Sequence, residues 1–243
     1  MLRRALLLLL LPLSVQAQEL TVSAAASLAD AFKALAPGFE AAHPGAKLRF
    51  NFAASGQLLQ QIAQGAPVDV FASADEATMD RAAEQKLIAA PSRRTFARNE
   101  LVLVTPPDGT LASLADLSQP GVKRIAVGKP ATVPVGRYTQ QALESVRLWQ
   151  ALQPKLVPAD NVRQVLDYVA RAEVEAGFVY RSDAQLAKDR VRVVMTLGGH
   201  EPVRYPVAVV SDSRQPALAQ AFIDYLLGKP AQALLQQQGF GAP

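Results

Sequence analysis

The stretch Thr21-Val22-Ser23-Ala24-Ala25-Ala26-Ser27-Leu28-Ala29-Asp30-Ala31-Phe32 decides how this chain is read. Leu20 and Val22 give a short apolar strand pattern ending near Ser23. From Leu28 onward the apolar positions Leu28, Phe32, Leu35 and Phe39 recur at helical spacing. Three alanines and a serine separate the two patterns, so a strand hands over to a helix with almost no side chain in the way. Phe52-Ala53-Ala54-Ser55-Gly56 repeats the arrangement between a strand at 47–52 and a helix at 56–64. Small side chains, and a glycine such as Gly56 above all, let a ligand come close to the backbone. The first amides of a helix point outward unpaired, and the helix dipole adds partial positive charge there. Each junction is therefore a candidate anion site. Each serine also has a plainer reading as a helix cap, and Ser27-Leu28-Ala29-Asp30 resembles a capping box with a short acid.

Outward from these junctions the alternation continues. A continuous apolar strand at 68–72 suits a parallel strand covered on both faces. Helix follows at 76–87, and Pro37-Gly38 predicts a kink or restart in the first helix. A strand at 101–104 leads into the turn Pro106-Pro107-Asp108-Gly109. The pattern then restarts: helix 111–117, strand 124–127, helices 136–148 and 162–171, strands 176–180, 191–196 and 205–210, and closing helices 216–227 and 230–238. Such alternation predicts an α/β fold.

The chain has 243 residues. Met1-Leu2-Arg3-Arg4, the apolar run 5–13 and the small residues Val15-Gln16-Ala17 have the plan of a secretory signal peptide, cleaved after Ala17. The remaining 226 or so residues exceed one small core and suit two lobes. The expected division is a discontinuous first lobe, 18–98 with 206–243, and a second lobe, 99–205. Each lobe is expected to hold a mostly parallel sheet flanked by helices, with strands 101–104 and 205–210 crossing between them. Ligands of open α/β sheets bind beyond the carboxyl ends of the strands. Two lobes facing each other would place two such edges around one cleft.

Composition narrows the chemistry. There is no cysteine, hence no disulfide, thiol chemistry or cysteine-borne lipid anchor. The expected location is the periplasm, in soluble form. The net charge of +4 falls by two when Arg3 and Arg4 leave, and no basic stripe with interleaved aromatics suggests nucleic acid. A serine nucleophile needs a base, and only His43 and His200 exist, both read as solvated loop residues. Two histidines without cysteine make no convincing metal cluster, and no phosphate-binding glycine motif is present. The expectation is a binding protein without cofactor, not an enzyme.

The second half adds helix starts at Thr132-Val133-Pro134-Val135-Gly136 and Ala159-Asp160-Asn161-Val162, where Asp160 or Asn161 reads as an ordinary cap. Tyr180 ends the strand Gly177-Phe178-Val179-Tyr180, so its hydroxyl either faces the cleft or belongs to a half-buried packing tyrosine. Arg137 and Arg163 read as solvated helix residues.

Taken in order, these segments resemble the periplasmic molybdate-binding proteins of ABC transporters. The match includes Ala24 to Leu28, Phe52 to Gly56, Gly65 to Asp75, Val127 to Pro130 with Val133 to Tyr138, Ala159 to Arg163, Gly177 to Asp183 and Tyr205 to Val209. The resemblance implies a two-lobed Venus-flytrap of the type II periplasmic binding proteins, acting as a monomer. It implies capture of molybdate, and tungstate beside it, for delivery to a membrane permease; sulfate or another tetrahedral oxyanion is the alternative. It also implies a ligand set: hydroxyl and amide of Ser27 and Ser55, backbone amides of Val135 and Val162, and the Tyr180 hydroxyl. Val135 departs from the alanine expected at that place.

Overall fold

The structure, a computed structural model, describes residues 18–243. The expected signal peptide, 1–17, lies outside them. The first part of the chain forms β1 (Gln18–Ala25), α1 (Ala29–Ala42), β2 (Ala46–Ala53), α2 (Ser55–Ala63), β3 (Val70–Ala72), α3 (Glu76–Glu84) and β4 (Arg94–Asn99). The middle forms β5 (Leu101–Thr105), β6 (Ile125–Gly128), α4 (Pro134–Ser145), α5 (Trp149–Leu152), β7 (Leu156–Ala159), α6 (Val162–Ala170), β8 (Ala176–Tyr180), α7 (Arg181–Leu186) and β9 (Arg192–Thr196). The chain ends with β10 (Val203–Val209), α8 (Pro216–Leu227) and α9 (Lys229–Gln237).

Two five-stranded sheets result, ordered β2-β1-β3-β10-β4 and β7-β6-β8-β5-β9. Each is mixed but mostly parallel, with four strands running one way and a single strand, β10 or β5, running against them. In the first, β2 and β3 run parallel to β1, while β10 pairs antiparallel with β3 and β4. In the second, β7 and β8 run parallel to β6, while β5 pairs antiparallel with β8 and β9. The antiparallel pairs arise where the chain crosses from one sheet to the other, because β5 and β10 enter from the opposite end.

Three local expectations need correction. Pro37 does not interrupt α1, which runs unbroken through it. Gly38 is there for packing: a Cβ on it would lie 2.4 Å from the Tyr225 hydroxyl of α8, which donates to the Leu35 carbonyl at 3.2 Å. The helix expected at 111–117 is only a 3-10 turn, Ala115–Ser118. There the Asp116 carboxylate accepts from the amides of Ala112 and Ser113, both at 2.9 Å, and so competes with helical pairing. Strands β4 and β7 have no counterpart in the sequence pattern.

An aromatic core fastens α8 and α1 to the first sheet. Phe32 meets Phe222 edge-on at 5.7 Å, with Phe39 and Phe96 beside them. Residues that follow the carboxyl ends of β1, β2 and β3 and those of β6, β7 and β8 line one cavity, so these ends face each other.

Candidate functional site

Between those facing ends lies a small cavity. Ser27, Ser55, Val135, Val162 and Tyr180 all line it, with Ala25, Ala26, Ala53, Ala54, Ala74, Val133, Pro134 and Asn161 completing the wall. The five come from five different parallel strands. Ser27 follows β1, Ser55 follows β2, Val135 follows β6, Val162 follows β7, and Tyr180 ends β8. No acidic or basic side chain is in that lining.

Neither serine caps a helix. The turn containing Ser27 and helix α1 have Ala25 and Leu28 at their caps, and neither end carries a side-chain cap bond. The Ser27 Oγ lies 3.0 Å from the Tyr205 hydroxyl. Ser55 is the first residue of α2, capped by Ala54, and its Oγ accepts the Ala74 amide at 3.0 Å. Val162 opens α6 behind a true cap, Asn161, whose side chain accepts from the Gln164 amide. Val135 is the second residue of α4. Both are first-turn positions, where helix geometry supplies no acceptor for the amide. Gly136 seats that turn: a Cβ there would be 2.0 Å from the Gly128 carbonyl, so only glycine lets α4 start against the end of β6. The Val135 side chain is fully buried, with Cγ1 over Gly128.

Tyr180 is 1% exposed, and its hydroxyl is one of four buried side-chain atoms without a hydrogen-bond partner among the described residues. Burial holds this phenol well above its ordinary pKa of 10, so it keeps its proton. It is a buried, unpartnered donor on a residue that lines the cavity.

Gly56, next to Ser55, joins the two lobes. Its amide donates to the Thr132 carbonyl at 3.0 Å, across from the first sheet to the segment that follows β6. The group that approaches its backbone is therefore the other lobe.

A family model described as bacterial extracellular solute-binding protein matches residues 20–241. The chain belongs to the bacterial extracellular solute-binding proteins. It is 41% identical over 230 residues to the Escherichia coli (strain K12) molybdate-binding protein ModA, covering 91% of this chain and 88% of that one. It is 35% identical over 227 residues to a putative ABC transporter substrate-binding lipoprotein, YvgL, of Bacillus subtilis (strain 168), covering 92% and 86%. Among solved structures, the Azotobacter vinelandii periplasmic molybdate-binding protein superposes with a TM-score of 0.81 at 26% identity, covering 92% of this chain and 99% of that one. The two-lobed architecture expected from the strand–helix alternation is thus that of a non-enzymatic binding family.

In this solute-binding protein the two arginines are not solvated helix residues. Arg137 of α4 reaches across to the first lobe, where its Nε lies 2.8 Å from Asp75 Oδ2 and its Nη2 2.7 Å from Thr78 Oγ1. Arg163 of α6 pairs with Asp30 of α1 at 2.8 Å and with Asp183 of α7 at 2.8 Å. Its guanidinium also donates to the Ser27 carbonyl at 3.3 Å. Both cations bridge the lobes at the rim, outside the cavity. Nothing in their spacing marks them, since the first-lobe acids they meet lie 62 and 133 residues away in the chain. His43 and His200 are half-buried, not solvated: His43 stacks on Phe39 at the end of α1, and His200 contacts the Leu197 and Glu201 carbonyls. Neither lines the cavity. Among the described residues there is no group of three or more metal-binding side chains, and no helix long and apolar enough to cross a membrane.

Asp183 gives the solute-binding protein a pH signature. It is fully buried, and burial pushes its carboxyl up to about 6, with Arg163 pulling the other way. Between its ordinary value of 3.8 and about 6, the folded chain holds a proton that the unfolded chain has released. Stability from this group is complete below that window and is lost as pH rises through it. The expected result is a melting temperature that falls with rising pH across the window more steeply in the parent than in Asp183→Asn. Parallel curves would refute the assignment.

Proposed function

We propose that this protein captures molybdate, and tungstate in the same way, and hands it to the membrane permease of an ABC importer. It does so as a monomer free in the periplasm, after export by the signal peptide at 1–17. The first lobe, 18–98 with 206–243, supplies Ser27 and Ser55; the second, 99–205, supplies Val135, Val162 and Tyr180. The observation that carries this reading is a cavity lined by donors and apolar groups with no charged side chain, holding an unpartnered tyrosine hydroxyl.

Such a wall suits a fully deprotonated tetrahedral dianion. Hydrogen bonds to a charged group contribute roughly 1.5–3 kcal/mol each, so several offset the loss of hydration without a buried cation. An anion that keeps a proton brings a donor with no acceptor to meet it, which costs about 1–3 kcal/mol. This argues against hydrogen phosphate. The preference for molybdate over sulfate rests on the relatives.

Titration calorimetry with molybdate, tungstate, sulfate and phosphate tests the proposal. Molybdate and tungstate should bind tightly, sulfate much more weakly and phosphate least. Sulfate that competes with molybdate at equal concentration would overturn the assignment. Ser27→Ala and Ser55→Ala each remove one hydroxyl donor and leave the amide. Each should weaken molybdate binding by about 1.5–3 kcal/mol, roughly tenfold to more than a hundredfold. His43→Ala and His200→Ala serve as controls with parent-like affinity.

A further inference from the structure

A hydroxyl both donates and accepts, so a wall of serine hydroxyls does not by itself reject an anion that carries a proton. Something must occupy the serine lone pairs. For Ser55 the Ala74 amide does this, because an N–H can only donate. For Ser27 the neighbour is Tyr205, itself a hydroxyl, and the direction of the bond has to be worked out.

Asn99 settles it. Its Oδ1 accepts the Glu100 amide at 2.9 Å, which fixes the orientation of the side-chain amide. Its Nδ2 therefore faces the other way, donating to the Ser182 hydroxyl at 2.8 Å and to the Tyr205 hydroxyl at 3.3 Å. Tyr205 is fully buried, and burial holds its phenol well above the ordinary 10, so the proton stays on the oxygen. That proton needs an acceptor, and among the described residues the Ser27 Oγ at 3.0 Å is the one the geometry provides. Tyr205 thus donates to Ser27, and the Ser27 proton is left to point into the cavity.

We propose that Tyr205, oriented by Asn99, is a positioning residue that fixes the Ser27 hydroxyl as a donor and so gives the site its selectivity against protonated oxyanions. The inference rests on the oxyanion reading of the cavity. Asn99 stands where the chain crosses between the sheets and Ser182 follows Tyr180, so the relay joins the crossing point to both halves of the site. The Tyr205 ring is held independently by edge contacts with Phe96 and Phe240, at 6.3 and 5.4 Å, and phenylalanine keeps these.

The test is Tyr205→Phe in the full chain, titrated with molybdate and with hydrogen arsenate, a tetrahedral oxyanion that keeps a proton at neutral pH. Loss of the phenol frees a Ser27 lone pair, and the serine can then turn to accept. Molybdate affinity should fall about tenfold while arsenate affinity holds or rises, so their ratio falls at least tenfold. In a Ser27→Ala background the same change should leave the ratio unmoved. Asn99→Ala should shift the ratio in the same direction, and this second variant decides the matter should Tyr205→Phe not fold. A merely structural role predicts equal losses for both ions, additive with Ser27→Ala; that result overturns the inference while leaving the molybdate reading intact. A parent protein that binds no molybdate overturns the reading and the inference together.

Discussion

Gly56→Ala should weaken molybdate binding on the order of a hundredfold and leave the ligand-free protein as stable as before or slightly more so. An added Cβ would sit 2.6 Å from the Thr132 carbonyl oxygen and 2.9 Å from the Thr132 Cα, both backbone atoms that no rotamer can move. The lobes would have to stay apart at this point, losing the Gly56–Thr132 hydrogen bond and lengthening every contact that an ion makes to both sides. Overpacking of this kind costs about 1–3 kcal/mol, and misplaced donors add to it. The ligand-free effect has the opposite sign where the lobes are free to part, because the clash with Thr132 exists only when they meet. Gly56 is the second residue of α2, and alanine stabilises a helix by about 0.5–1 kcal/mol relative to glycine. Calorimetry and a melting curve on the same sample decide it: parent-like affinity would mean that the lobes do not meet here when loaded.

Tyr180→Phe should also separate affinity from stability, by a different route. It removes a hydroxyl that is buried without a partner, and such an orphan costs about 1–3 kcal/mol. The ligand-free melting temperature should therefore rise. Molybdate affinity should fall by about 1.5–3 kcal/mol, tenfold to more than a hundredfold, if the proposed bond from this hydroxyl to the anion is made. The change in volume is one oxygen atom. A variant that binds like the parent would exclude Tyr180 from the ligand shell, and a lower melting temperature would show that its hydroxyl has a partner after all.

How much of this was legible in the sequence depended on where the determining contacts lie. Strands buried on both sides, such as β3 and β8, announce themselves as apolar runs, and the closing helix at 216–227 coincides with α8. The two strands without a signal, β4 and β7, are both at sheet edges. Arg94-Thr95-Phe96-Ala97-Arg98-Asn99 carries few apolar residues, as an edge strand can, and in Leu156-Val157-Pro158-Ala159 the proline, tolerated at an edge, reads as a strand breaker. Ser27 and Ser55 stood out because each follows a strand in a small-residue junction, whereas Val135, Val162 and Tyr180 were marked as ligands only by the family resemblance; all five line the cavity. Arg137, Arg163, Tyr205 and Asn99 were not, because their partners are distant in the chain and their meaning appears only when the lobes come together. Gly56 was singled out for closeness to a ligand, whereas what comes close is the Thr132 carbonyl.

The arginine bridges at the rim also bear on how fast a captured ion escapes. With cations kept out of the cavity, the hold on the ion and the hold on the doors are separate. Departure must wait for Arg137 to part from Asp75 and Arg163 from Asp30. The two latches differ in exposure: the Asp75 side chain is 4% exposed and that of Asp30 44%. Mobile ions screen exposed charges within about 10 Å at 0.1 M salt and reach buried ones much less. Raising the ionic strength should thus loosen the Asp30 side first, shortening the dwell time of the ion by letting the cleft swing open asymmetrically, about the still-fastened Asp75 side.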